Sequence, residues 1–144
     1  MTSSDSAPRQ PDTSSERDAA RRPVLLRVLL VEDEALIRIS TADHLSDSGM
    51  TVIEAGSARQ ALTEAGGGDF DVLVTDVHLP DMSGVELAAA LREKSPELPV
   101  IFATGDKDVL SDHGLPGTDL IVKPYDYDLL VRKIRSMAAT NNFG

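Results

Sequence analysis

The sequence contains no cysteine, and its apolar runs are all short. Without cysteine the chain cannot form disulfides, thiolate nucleophiles or Cys-ligated metal sites. No run approaches the length that crosses a bilayer. Residues 24–31, which include Arg27 and precede three acidic residues, do not fit an export signal. We therefore expect a cytoplasmic protein with no membrane partner.

The first apolar run, residues 24–31, is not followed by the sequence G-x-G-x-x-G. This absence argues against a dinucleotide-binding site.

Basic residues are also scarce, with 14 Lys and Arg against 24 Asp and Glu and a formal net charge of −10. Residues 1–23 contain four acidic residues and four arginines, so the whole excess lies in residues 24–144. A domain this acidic lacks the clustered cations that contacts to nucleic-acid phosphates require, and we expect no nucleic-acid partner. Its charge suits a divalent cation or a basic protein surface.

Residues 1–23 are rich in Ser, Asp, Arg and Pro and show no apolar periodicity. Because they have little apolar surface to bury, they are predicted to be a disordered N-terminal tail. Residues 24–144 are long enough to form one domain with a substantial core.

From residue 27 onward, short aliphatic runs alternate with segments of helical periodicity. The predicted strands are residues 28–31, 51–54, 72–75, 99–103 and 119–122, and the predicted helices are residues 34–48, 57–65, 84–94, 106–113 and 126–139. This alternation favours an α/β fold in which helices cover both faces of a parallel sheet. Right-handed crossovers, with the most aliphatic strands at the centre, favour a flavodoxin-like, doubly wound sheet of five strands in the order 2-1-3-4-5.

Polar side chains follow four of these strands at the point where each strand ends. Glu32 and Asp33 follow the first, Asp76 the third, Thr104 the fourth and Lys123 the fifth. The carboxyl ends of parallel strands meet at one edge of the sheet, and strands 1 and 3 are neighbours in the predicted order. Each residue alone could be a helix cap, a turn residue or a strand end. Their arrival together at one edge favours a joint role.

Three carboxylates in one pocket repel each other unless a cation lies between them. Mg²⁺ suits such a site because it prefers oxygen ligands and usually keeps several waters. With Lys123 and Thr104 at the phosphoryl oxygens and Asp76 as the nucleophile, the pocket is equipped for phosphoryl transfer.

Four segments resemble, in their order and separation, the receiver domain of two-component response regulators. They are residues 28–34 (VLLVEDE), 76–84 (DVHLPDMSG), 102–105 (FATG) and 122–125 (VKPY). The resemblance covers residues 27–139. It implies that Asp76 accepts a phosphoryl group from a phosphohistidine of a sensor histidine kinase or a histidine phosphotransfer protein.

The resemblance also implies a ligand set. Mg²⁺ would be bound by the side chains of Asp33 and Asp76 and the main-chain carbonyl of His78, with Glu32 helping through water. Thr104 and Lys123 would bind the phosphoryl oxygens, and the bond between Lys123 and Pro124 would be cis and help to aim the ammonium inward.

One position departs from the family pattern. Leu120 stands three residues before the lysine, where the family usually has an aromatic residue that couples phosphorylation to the signalling surface. Together with residues 102–105, this departure resembles a less common receiver subgroup from alphaproteobacteria. We hypothesise that residues 105–118 switch by ordering or shifting as a whole.

These features predict a stand-alone receiver of a bacterial two-component pathway, since only five residues follow Ala139. It would not be an enzyme, although it would take part in its own phosphorylation and dephosphorylation. Its output would pass to a protein partner, or it would relay or drain phosphoryl groups. The predicted output face comprises the fourth helix, the fifth strand and the last helix, with Tyr125, Tyr127, Arg132, Lys133 and Arg135.

Two alternatives stay open. A Mg²⁺-dependent aspartyl phosphohydrolase would usually carry a second Asp two residues after the nucleophile, where this chain has His78. A receiver-like scaffold that never takes phosphate would tend to lose one of the pocket residues, all of which are present here.

Overall fold

The computed structural model describes residues 25–105 and 116–143, with side chains as far as residue 139. Its elements are β1 (Arg27–Val31), α1 (Ala35–Asp47), β2 (Thr51–Ala55), α2 (Ala58–Ala65), β3 (Val72–Asp76), α3 (Gly84–Arg92), β4 (Val100–Thr104), β5 (Thr118–Val122) and α4 (Tyr127–Phe143). The predicted tail and the helix predicted over residues 106–113 lie outside the described residues.

The five strands form one parallel sheet in the order β2-β1-β3-β4-β5, which confirms the predicted order 2-1-3-4-5. The register aligns the carboxyl ends of the strands. Val31 pairs with Thr75, and Thr104 pairs with Val122. Residues that leave these strands therefore start from one edge of the sheet.

The central strands are buried on both faces, as their aliphatic sequences predict. Alternate residues of β1 enter different cores. Val28 and Leu30 belong to a cluster under α1 and α4, and Leu29 and Val31 belong to a cluster under α2 and α3. The fold is thus doubly wound, as predicted, with the sheet between two helical layers.

Local signals fix the helix ends. Ser57 caps α2 by accepting a hydrogen bond from the amide of Gln60, and Ser83 and Glu86 form a capping box at the start of α3. Gly49 follows α1 with φ 89°, a left-handed conformation that glycine adopts at little cost. Among the described helices, none is both long and apolar enough to cross a membrane.

Candidate functional site

An acidic pocket lies at the carboxyl edge of the sheet. One carboxylate oxygen from each of Glu32, Asp33 and Asp76 lies within 4.8 Å of the others. The Lys123 ammonium reaches into the same pocket, 2.7 Å from Glu32 Oε1 and 2.9 Å from Asp76 Oδ2. The structure therefore brings together the three carboxylates and the ammonium that the sequence places at the ends of β1, β3 and β5.

Burial divides the pocket into an inner and an outer part. The Glu32 side chain is 1% exposed and that of Lys123 is 19% exposed, whereas Asp33 is exposed. Burial raises the pKa of Glu32, although the hydrogen bond from Lys123 opposes this change. Burial alone would lower the pKa of Lys123, but its bonds to Glu32 and Asp76 outweigh that effect and raise the pKa. Lys123 is accordingly charged at neutral pH.

The donor set fits Mg²⁺. Its groups are carboxylate oxygens, which are the ligands of a hard divalent ion. Three carboxylates face one ammonium, so two negative charges remain uncompensated within the group. The exposed Asp33 leaves the outer side open to solvent, and such an opening suits an ion that keeps several of its waters.

The loop after β3 folds back on Asp76. The amide of His78 donates to Asp76 Oδ1 at 3.3 Å, and the amide of Gly84 donates to the carbonyl of Val77 at 2.7 Å. His78 also bridges to Ser83 across the loop, while its imidazole is exposed. The amide of His78 thus faces Asp76, and its side chain is exposed to solvent.

Thr104 and Lys123 are joined through the main chain. The Lys123 amide donates to the Thr104 carbonyl at 2.8 Å, which extends the β4–β5 pairing by one step. Thr104 is 1% exposed and ends β4, so the residue lies at the same edge of the sheet as Asp76. The peptide bond between Lys123 and Pro124 is cis, which confirms the prediction for that bond.

Sequence analysis missed how closely Tyr125 approaches the pocket. Its hydroxyl lies 3.5 Å from Glu32 Oε1, and its ring packs against the cluster under α1 and α4. Burial, followed by the nearby carboxylates, raises the pKa of Tyr125 far above its ordinary range. Sequence analysis had placed this side chain on an outward-facing surface. Its position two residues after Lys123 was the available signal.

A second missed contact ties the β3–α3 loop to α2. Asp81 accepts hydrogen bonds from the amides of Ala58 at 3.0 Å and Arg59 at 2.8 Å. These amides, led by that of Arg59, lower the pKa of Asp81. Asp81 therefore complements Ser57 at the start of α2 and holds the loop beside the pocket. Nothing in the spacing of residues this far apart indicates such a contact.

Two of the three basic side chains on the predicted output face have partners within the chain. Lys133 forms an ion pair with Asp119 at 2.9 Å, and Arg135 donates to the Ser48 carbonyl at 2.7 Å. Arg132 is exposed. Part of this basic cluster therefore binds α4 to its neighbours.

The family model for the response regulator receiver domain matches residues 28–135. The transcriptional regulatory protein TcrA of Mycobacterium tuberculosis is 34% identical over 117 residues, covering 78% of this chain and 46% of that protein. The sensor kinase CckA of Brucella abortus is 35% identical over 115 residues, covering 76% of this chain and 12% of the kinase.

The structure is similar to that of the chemotaxis response regulator CheY4 of Vibrio cholerae. The TM-score is 0.72 at 28% sequence identity, and the match covers 79% of this chain and 99% of that one. The receiver domain of the hybrid histidine kinase CckA matches with a TM-score of 0.68 at 30% identity, covering 78% of this chain and 98% of that one. The chain spans about half the length of the transcriptional regulatory proteins TcrA and TcrX of Mycobacterium tuberculosis.

Proposed function

The chain belongs to the response regulator receiver family, and we propose that it is a signalling module switched by phosphorylation of Asp76. The observation that carries this proposal is the bridge that the Lys123 ammonium makes between Asp76 and the buried Glu32. The bridge holds a cation against the nucleophile, at the place where the negatively charged phosphoryl oxygens arrive during phosphoryl transfer.

In the proposed step, a carboxylate oxygen of Asp76 attacks the phosphorus of a phosphohistidine. A P–O bond forms, the P–N bond breaks, and its electron pair returns to the imidazole of the donor. Lys123 and Thr104 would hold the phosphoryl oxygens. Mg²⁺, held by Asp33 and Asp76 with Glu32 nearby, would supply further charge neutralisation. The product stays on the chain, so we describe the protein as a phosphoacceptor rather than an enzyme.

The donor would be a sensor histidine kinase or a histidine phosphotransfer protein. α1 begins two residues after Asp33, and it presents Leu36, 82% exposed, and Ile39, 48% exposed. Apolar side chains this exposed beside the pocket suit a docking partner. Similarity to a segment of a sensor kinase supports a place in a phosphohistidine pathway.

The proposed setting is the cytoplasm of a bacterium. A protein partner would receive the signal at the face formed by β5, α4 and the helix predicted over residues 106–113, or the chain would relay or drain phosphoryl groups. The complete pocket argues against a phosphate-independent scaffold, because the ends of β1, β3 and β5 bring together three carboxylates and an ammonium in an arrangement that suits phosphoryl transfer.

Intact-mass spectrometry after incubation with acetyl phosphate and Mg²⁺ tests the proposal. We expect one phosphoryl adduct on the wild-type chain, and none on Asp76→Asn or without Mg²⁺. Asp69→Asn, which changes an exposed carboxylate outside the pocket, is the matched control and should be phosphorylated. An adduct on Asp76→Asn would overturn the assignment. No adduct on the wild type, together with no binding of beryllofluoride, would favour the scaffold.

A further inference from the structure

Three rings form a continuous path from the acidic pocket to the surface of α1. Tyr125 Oη lies 3.5 Å from Glu32 Oε1. The ring of Tyr125 contacts that of Tyr127, with centroids 6.0 Å apart and an interplanar angle of 52°. Tyr127 stacks on His44 at 4.4 Å and 18°, and His44 is exposed. The 6.0 Å separation is typical of interacting ring pairs, and the 4.4 Å separation is at the short end of their range.

We propose that Tyr125 is a positioning residue that becomes the main donor to Glu32 when Lys123 turns toward the phosphoryl group, and that the ring path carries this change to His44. The inference rests on the proposed function, since phosphorylation of Asp76 starts the change. It adds a route by which the state of the pocket reaches the surface of α1.

The first step follows because Glu32 and Asp76 share the ammonium group of Lys123. Its ammonium contacts both Glu32 Oε1 and Asp76 Oδ2. A phosphoryl group on Asp76 adds negative oxygens on that side and draws the ammonium toward them. The Glu32 side chain is 1% exposed, so bulk water has little access to replace the lost bond. A buried carboxylate oxygen without a donor is strongly unfavourable.

The second step is the response of Tyr125. Its hydroxyl is already next to Glu32 Oε1, whereas Oε2 accepts from the amide of Glu34 at 3.1 Å. A well-formed O–H···O⁻ bond is about 2.7 Å long, so the present 3.5 Å contact leaves room for a movement of about 0.8 Å. The ring is only partly buried, and it packs against the cluster rather than within it.

The third step concerns the side of the sheet on which a movement of the Tyr125 ring acts. Tyr125 packs against the cluster under α1 and α4, whereas Leu120 packs against the cluster under α2 and α3. A shift of the Tyr125 ring therefore acts on the α1–α4 side of the sheet. Tyr127 is the first residue of α4 and stacks on the last turn of α1, so it couples these two helices.

NMR of the His44 ring in the full chain tests the inference, with Mg²⁺ and beryllofluoride as the phosphoryl mimic. In the wild type we expect the His44 ring protons to shift when beryllofluoride binds, because they lie over Tyr127. Tyr125→Phe keeps the ring but removes the hydroxyl, and it should bind beryllofluoride yet lose about half or more of the His44 shift. Tyr127→Phe likewise removes only a hydroxyl group, from the second ring of the path, and should keep the shift of the His44 ring protons.

The outcomes separate the two proposals. Equal His44 shifts in the wild type and Tyr125→Phe would overturn the role of Tyr125. Beryllofluoride binding, measured by fluorine NMR, without any His44 shift in the wild type would overturn the ring path and leave the proposed function standing. Failure of the wild type to bind beryllofluoride or take a phosphoryl group would overturn the proposed function and the inference with it.

Discussion

Gly84 lies directly against the main-chain carbonyl of Asp76. A Cβ atom at position 84 would overlap the Asp76 carbonyl oxygen and approach the Thr75 side chain at 3.2 Å. The close approach packs the start of α3 against the end of β3. The sequence shows a glycine here, but only the packing explains why no larger residue fits.

Gly84→Ala is expected to destabilise the fold by about 1–3 kcal/mol, because the added methyl group must displace backbone rather than a flexible side chain. Urea unfolding measures the change. Gly67→Ala is the control, since a Cβ atom there would meet the Glu64 carbonyl at an ordinary 3.6 Å. Equal stability of the two variants would contradict this account of Gly84.

Lys123→Met is expected to lower stability at neutral pH by about 3 kcal/mol, because it leaves buried Glu32 facing Asp76 without a cation. The pKa of Glu32, already raised above 4.5, should rise further. A carboxyl whose folded-state pKa is raised loses stability as pH rises, so the deficit should grow above pH 4.5.

Urea unfolding at several pH values measures this effect. Lys133→Met is the matched control, because its ion pair with Asp119 is more exposed and should contribute about 0–1 kcal/mol. Mg²⁺ should bind more tightly to Lys123→Met than to the wild type, since one positive charge is gone, even though phosphorylation is impaired. A loss of stability in Lys123→Met that does not change with pH would contradict the role given to the buried ion pair of Lys123 and Glu32.

The contact between Asp81 and α2 is expected to make stability depend on pH. The pKa of Asp81 lies below its ordinary value of 3.8, so its contribution is present above that pH and is lost as pH falls through the lower folded-state value. Asp81→Ala should therefore reduce stability at neutral pH more than in acid. Ser57→Ala removes a cap that does not titrate and should cost about 1 kcal/mol at both pH values. Thermal unfolding of both variants gives the comparison.

Mg²⁺ is expected to raise the stability of the wild type, by about 2.7 kcal/mol at a concentration one hundred times its dissociation constant. EDTA should reverse the gain. Asp33→Asn should weaken binding by roughly tenfold, whereas Asp43→Asn, at an exposed position on α1, should leave it unchanged. Calorimetric titration with Mg²⁺ measures both. Unchanged affinity in Asp33→Asn would remove Asp33 from the ligand set.

The order of the strands, and the edge of the sheet at which the pocket lies, were predictable because both depend on the pattern of apolar and polar residues in the sequence. Aliphatic runs such as residues 72–75 are typical of interior strands, and the residues that follow parallel strands meet at one edge of the sheet. Element ends were less predictable. β4 begins at Val100 rather than at residue 99, and α4 continues to Phe143 rather than ending at residue 139. End residues contribute little periodicity, so the pattern does not fix them.

The contacts made by Asp81 and Tyr125 were not predictable for a different reason. Asp81 caps a helix that begins 23 residues earlier, and Tyr125 approaches a carboxylate 93 residues away. Both contacts depend on how loops cross the edge of the sheet, which hydrophobic periodicity does not encode. The cis bond before Pro124 was predictable only through the family resemblance.

The aligned strand ends have a consequence for the newly made chain. Glu32 and Asp33 emerge early in synthesis, yet their counter-ion Lys123 follows β5, the last strand of the sheet. Lys123 joins the carboxylates only when β5 pairs with β4, so this pairing relieves their mutual repulsion. Under the proposed function, a phosphoryl group is therefore received only by a chain whose five strands have all paired.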